Sequence, residues 1–175
     1  MTAQLGALLE PLHLPAAARW MRGASIHMTL VFIGATSPGA VPQIATAIRE
    51  VAARHRPIRV RLGGAGSFGG GSRPRVAWVG LAEGAESLRR LAEELHPRVL
   101  PQFAGTPRAL SPHITVARRA ADDLVLRMDR VLAEAPPVTW TADRIVHYRS
   151  HLAIGPPLHE QLSETILGRP AATDR

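Results

Sequence analysis

The chain has no cysteine among its 175 residues, which excludes disulfide staples and thiolate chemistry. Lysine is absent as well, so all 21 basic side chains are arginine. Aromatic residues make up only 4% of the chain, too few for an extended platform of stacked bases along a single strand. No apolar run approaches the ~20 residues of a membrane-spanning helix. The first residues lack the basic start and apolar stretch of a secretory signal, so no membrane association and a cytoplasmic location are expected. Acidic charge is the minority sign, and the formal net charge is +7. GC-rich coding accounts for arginine in place of lysine, but the physical consequence holds regardless. Guanidinium groups grip phosphate bidentately and stack on bases, and the positive field draws polyanions. Nucleic acid or a nucleotide is the favoured class of partner. The hydrophobic fraction of 46% is ordinary for a globular protein, and the length suits one domain or two small lobes. A monomer is expected.

Against this background one pattern occurs twice: His27-Met28-Thr29-Leu30 and His113-Ile114-Thr115-Val116. A strand alternates faces residue by residue. In each copy the His and the Thr therefore point one way and the apolar residues the other. One such tetrapeptide arises by chance in many proteins. Two, each in an apolar stretch and about half a chain apart, can deliver two imidazoles and two hydroxyls from two similar half-units into one cleft.

The surrounding periodicities predict the frame. Residues 3–10 read as a short helix ending near Pro11, and Arg19–Met21 as a brief strand opposite the first motif. Ile26–Ile33 reads as an apolar strand. Apolar residues at helical spacing (Val41, Ile44, Ala45, Ile48, Ala52) predict a helix over Val41–His55, ended by Pro57. Ile58, Val60 and Leu62 alternate with Arg59 and Arg61, as in a half-exposed strand. Gly63–Pro74 reads as a Gly-rich loop without the Lys-Ser/Thr of a phosphate-cradling P-loop. A strand over Val76–Leu81, a helix over Ala85–Leu95 closed by Pro97, the second motif's strand over Pro112–Ala117 and a helix over Asp122–Ala133 follow. Val138–Tyr148 and Leu158–Ile166 read as a closing pair of strands. The order indicates an α+β fold: bilobal, with two pseudo-symmetric antiparallel sheets, outer helices and a central cleft carrying both motifs.

The residue set suits a cyclic phosphodiester. One imidazole takes a proton from water while the other protonates the leaving oxygen, and His serves both roles near neutral pH without a metal or other cofactor. The two Thr hydroxyls donate to phosphate oxygens as charge builds. Arg118 adds a cation at the same mouth, with Arg119 sent to the other face. His147 and His151 are four apart in or after a strand with no acidic cluster nearby, which does not suit a metal site. His13, His55, His96 and His159 have no partner pattern. Phe68 and Trp78 flank the Gly-rich stretch, where base contact competes with core packing, the better reading for Trp78. A binding module without catalysis, and the same chemistry on a small nucleotide metabolite, are the alternatives.

The chain resembles the 2H phosphoesterase superfamily. Within it the resemblance is to the RNA 2′,3′-cyclic phosphodiesterases, also called 2′-5′ RNA ligases, over about Leu5 to Leu162. Arg19-Trp20-Met21-Arg22, Phe32-Ile33-Gly34, Leu62 through Phe68, Pro74 through Gly80, Ser111 through Arg118 and Tyr148-Arg149-Ser150 carry it together with the two motifs. It implies metal-independent opening of a terminal 2′,3′-cyclic phosphate on RNA 3′ ends or cyclic nucleotides to a 2′-phosphomonoester. It further implies His27 as general acid, His113 as general base, and Thr29, Thr115 and Arg118 on the phosphate. Reversal, joining a 5′-hydroxyl to the cyclic phosphate, would give a 2′-5′ linkage as a secondary activity. Relatives usually begin with an apolar strand before the first helix. This chain begins inside that helix, so a missing first strand is expected, with a sheet edge or core face left uncovered. His159 stands where an aromatic residue is commoner.

Overall fold

The protein is described by a computed structural model covering residues 2–12, 18–70, 73–100, 111–121, 123–151 and 158–169. It is α+β, with helices α1 (Thr2–Leu9), α2 (Val41–Ala52), α3 (Ala85–Val99) and α4 (Leu124–Glu134). The strands are β1 (Arg19–Trp20), β2 (Ile58–Gly70), β3 (Arg73–Glu83), β4 (Ile114–Ala120), β5 (Thr139–Ala142), β6 (Arg144–His151) and β7 (Leu158–Ile166). They form a five-stranded sheet in the order β1-β4-β3-β2-β5 and a two-stranded sheet of β6 and β7. The β1–β4, β2–β3, β3–β4 and β6–β7 pairings are antiparallel. The chain divides into two compact units.

The first unit comprises Met1–Thr29, Arg59–Ala85 and Ser111–Trp140. Its core lies on one face of the larger sheet, where Val79, Ile114, Val116 and Ala117 meet Leu5 and Leu9 of α1 and Leu124 and Met128 of α4. Both helices bury residues four apart, the spacing that puts a single stripe on the sheet. Alternation then leaves the other face of β3 and β4 to Trp78 and Thr115, a cross-strand pair.

The second unit comprises Leu30–Ile58, Glu86–Leu110 and Thr141–Arg175. Helix α2 buries Ile44, Ile48, Val51 and Ala52, and α3 buries Leu88, Leu91, Ala92, Leu95 and Val99. Helix α2 packs on β6 and β7. Between α2 and α3, Arg98 donates to Glu50, and His55 and Arg54 both bond Glu94. The His55 hydrogen bond, then that of Arg54, holds the Glu94 carboxyl below its usual pKa.

Several elements depart from the sequence expectation. The His and Thr of both motifs fall in the first unit, and Leu30 of the first motif opens the second. Ile26–Ile33 is not a strand: Met28 makes a single isolated bridge. After Thr29 the chain passes to the second unit. Strand β1 pairs with β4, which carries the second motif, not with the first motif. The Gly-rich stretch is mostly strand rather than loop. A Cβ on Gly63 would lie 2.6 Å from the Ala82 Cβ, so glycine there permits close strand approach. Pro97 does not close α3, because buried Leu95 and Val99 carry the helix past it and the proline removes only one helical hydrogen bond. The stretch read as one strand over Val138–Tyr148 is two, β5 and β6, in different sheets.

Candidate active site

The bridge pairs Met28 antiparallel with Ile114. Continued by one residue each way, this register sets His27 across from Thr115 and Thr29 across from His113. Ile114 is fully buried in the core and Met28 packs against it. The two His and two Thr therefore share the opposite face. In that register each imidazole would stand opposite the other motif's hydroxyl. The histidines occupy diagonal positions, which in an antiparallel pair are about 7–8 Å apart. The bridge brings the two motif-bearing segments together at one residue pair, Met28 and Ile114.

His113 is the better defined imidazole. Its Nδ1 lies 2.7 Å from the Ser111 carbonyl oxygen. A carbonyl only accepts, so Nδ1 carries the proton and Nε2 is left with a lone pair in the neutral ring. The Phe68 ring packs edge-on against His113 at 4.9 Å, and Trp78 lies at 5.9 Å. Phe68 and Trp78 are themselves 5.4 Å apart. Gly66 faces Trp78 across β2 and β3, and a Cβ there would collide with the six-membered ring of the indole. The site thus rests on an aromatic wall fitted around a glycine. Trp78 belongs to that wall rather than to the core, while its Nε1 is buried without a hydrogen-bond partner among the described residues.

Arg118 reaches this face by a route that simple alternation does not give. Two-residue alternation from His113 would send Arg118 into the core and Arg119 to the site. Strand β4 instead pairs Thr115 with Trp78 and Ala117 with Ala77, leaving Val116 as an extra residue. The bulge reverses the parity. Ala117 is buried in the core, whereas Arg118 is exposed and pairs with Val76. A second irregularity follows at Arg119, whose φ of +56° is left-handed. Among the described residues Arg118 has no ion pair or side-chain hydrogen bond.

The remaining histidines have other surroundings. His55 bonds Glu94, and His151 bonds Glu160, whose pKa it lowers. His147 is buried on β6, its Nδ1 has no partner among the described residues, and burial pushes its pKa down. His147 and His151 form no shared site. No group of three or more His, Asp or Glu suited to a metal occurs among the described residues. No helix there is long and apolar enough to cross a membrane. His13 lies outside the described residues. Sequence reasoning missed Ser111, because a backbone carbonyl leaves no signature in residue types.

Residues 11–153 match a family model described as the 2′-5′ RNA ligase superfamily. Curated relatives bear the name RNA 2′,3′-cyclic phosphodiesterase. That of Geobacillus stearothermophilus is 29% identical over 86% of this chain and 48% of its own length. That of Aquifex aeolicus is 30% identical over 57% and 54%. The Aeropyrum pernix protein is 32% identical over 67% of each chain. The chain thus spans about half the length of the first two. Among solved structures, a Thermus thermophilus protein superposes with a TM-score of 0.74 at 25% identity, covering 96% of this chain and 94% of that one. Escherichia coli LigT complexed with 3′-AMP superposes with a TM-score of 0.72 at 22% identity, covering 95% and 93%, a likeness of fold.

Proposed function

The chain belongs to the 2′-5′ RNA ligase superfamily, and on that footing we propose that it opens terminal RNA 2′,3′-cyclic phosphates to 2′-phosphomonoesters. The observation that supports this reading is the Met28–Ile114 bridge, in whose register the two imidazoles would stand diagonally on one face with a hydroxyl beside each. The names of the curated relatives support the same substrate class.

In this mechanism His113, protonated on Nδ1 by its bond to Ser111, uses Nε2 to take a proton from water. The water oxygen bonds to phosphorus as the bond to the 3′ oxygen breaks. His27 gives its proton to that departing oxygen. Diagonal placement suits an in-line displacement, because acid and base then flank the phosphate from opposite corners. Thr29, Thr115 and Arg118 hold the non-bridging oxygens and offset the charge that grows on them. The scheme moves two protons between imidazoles, water and the 3′ oxygen, and so calls on no metal ion. With a 5′-hydroxyl in place of water as the nucleophile, the same displacement of the 3′ oxygen joins RNA ends through a 2′-5′ linkage.

The test is incubation with a short RNA ending in a 2′,3′-cyclic phosphate in EDTA, beside the His27→Ala/His113→Ala double variant. A 2′-phosphate product from the wild type alone is expected. Loss of activity in EDTA restored by a divalent ion, or a 3′-phosphate product, contradicts the scheme.

A further inference from the structure

We propose that Arg19 binds a second phosphate of the substrate strand, the phosphodiester on the 5′ side of the terminal nucleotide. The inference rests on the phosphodiesterase reading and names what makes an RNA end, rather than a mononucleotide, the better substrate. Strand β1 pairs Arg19 with Arg118 and Trp20 with Ala117. Trp20 packs against the core and Ala117 lies within it. Alternation therefore puts both arginines on the opposite face, the one that carries Thr115 and Trp78. Both are exposed.

Two like charges directly across an antiparallel pair repel, with Cβ atoms about 4.5–5.5 Å apart. Several other arginines have a carboxylate partner. Arg61 and Arg59 share Glu83, Arg54 has Glu94, Arg98 has Glu50 and Arg144 has Asp143. Arg19 and Arg118 have no carboxylate partner among the described residues. An uncompensated guanidinium pair beside a phosphate-binding Thr is stabilised when anions occupy it, and guanidinium fits phosphate bidentately.

The register also sets a direction. Phe68 pairs with Val76, Val76 with Arg118, and Arg118 with Arg19, so one row crosses four strands from an aromatic end to a cationic end. The cyclic phosphate held by Thr115 and Arg118 leaves the terminal nucleoside the aromatic side. The preceding phosphodiester then falls toward Arg19. A cyclic mononucleotide has no group to place there.

The experiment compares a 2′,3′-cyclic mononucleotide with a dinucleotide ending in a 2′,3′-cyclic phosphate, for wild type, Arg19→Gln and Arg19→Lys. For Arg19→Gln the dinucleotide KM is expected to rise about tenfold with kcat unchanged, as for one lost charge-assisted hydrogen bond. Mononucleotide kcat/KM should stay within about twofold of wild type. The slope of log kcat/KM for the dinucleotide against log salt should flatten by about 0.7, one phosphate contact on a single strand. Should Arg19→Gln fail to fold, Arg19→Lys carries the test, with a smaller KM rise confined to the dinucleotide. Equal losses on both substrates, or no loss on either, overturn the second subsite while leaving the phosphodiesterase reading intact. A wild type that opens neither substrate overturns both.

Discussion

Replacing Gly66 by alanine is expected to destabilise the protein. Gly66 is not among the glycines with positive φ, so its backbone accepts an L side chain. On backbone grounds alone Gly→Ala should then stabilise by about 0.4–1 kcal/mol, by restricting the unfolded chain. The added Cβ, however, would collide with the Trp78 indole, lying 2.7 Å from its Cε2 and nearer still to the outer ring atoms. The indole cannot retreat freely, because Phe68 and His113 pack beside it at 5.4 and 5.9 Å. Overpacking of this kind costs about 1–3 kcal/mol. The two effects separate in a double-mutant cycle. In a Trp78→Leu background the ring is gone and Gly66→Ala should turn neutral or stabilising, a coupling of at least about 1.5 kcal/mol. Urea unfolding followed by far-UV circular dichroism reads all four proteins without relying on tryptophan emission. An equal cost of Gly66→Ala in both backgrounds would refute the collision as its cause.

Two further outcomes are expected. Burial lowers the pKa of His147, so the unfolded chain takes up a proton near pH 6.5 that the folded state resists, and stability falls as pH drops through that value. His147→Leu removes this dependence. Its urea midpoint should gain on wild type from about pH 6.5 downward, and parallel pH curves would contradict this. Arg119→Gly should raise stability by about 1 kcal/mol, because the left-handed φ of +56° disfavours any residue with a Cβ. An unchanged or lower melting temperature would argue against strain at that bulge.

What the sequence revealed, and what it concealed, divides along the range of the interactions involved. Helices α2 and α3 were legible because Ile44, Ile48 and Val51, or Leu88, Leu91 and Leu95, announce a buried stripe by spacing alone. The candidate site was legible in composition, since alternation within each His-x-Thr is local. Its assembly was not, because the Met28–Ile114 bridge is a long-range pairing that no local pattern encodes. The Gly63–Pro74 stretch misled because glycine marks turns and close strand approach equally well, and only Ala82 and Trp78 across the ladder decide between them. Strict alternation from His113 puts Arg118 on the core face, whereas the observed register pairs it with Val76 and puts the buried Ala117 there instead. The bulge at Val116 that permits this depends on how β3 pairs, which leaves no trace in β4 itself.

The pH–rate profile for opening a 2′,3′-cyclic phosphate, recorded for wild type, His27→Ala and His113→Ala, tests the central claim most directly. One imidazole must be neutral and the other protonated, so the wild type should give a bell-shaped profile. Each single variant should lose about 100-fold or more in kcat and one limb of the bell, the acidic limb with His113→Ala and the alkaline limb with His27→Ala. A wild-type profile flat between about pH 5 and 8, or near wild-type turnover in both variants, would contradict two-histidine catalysis on this sheet face.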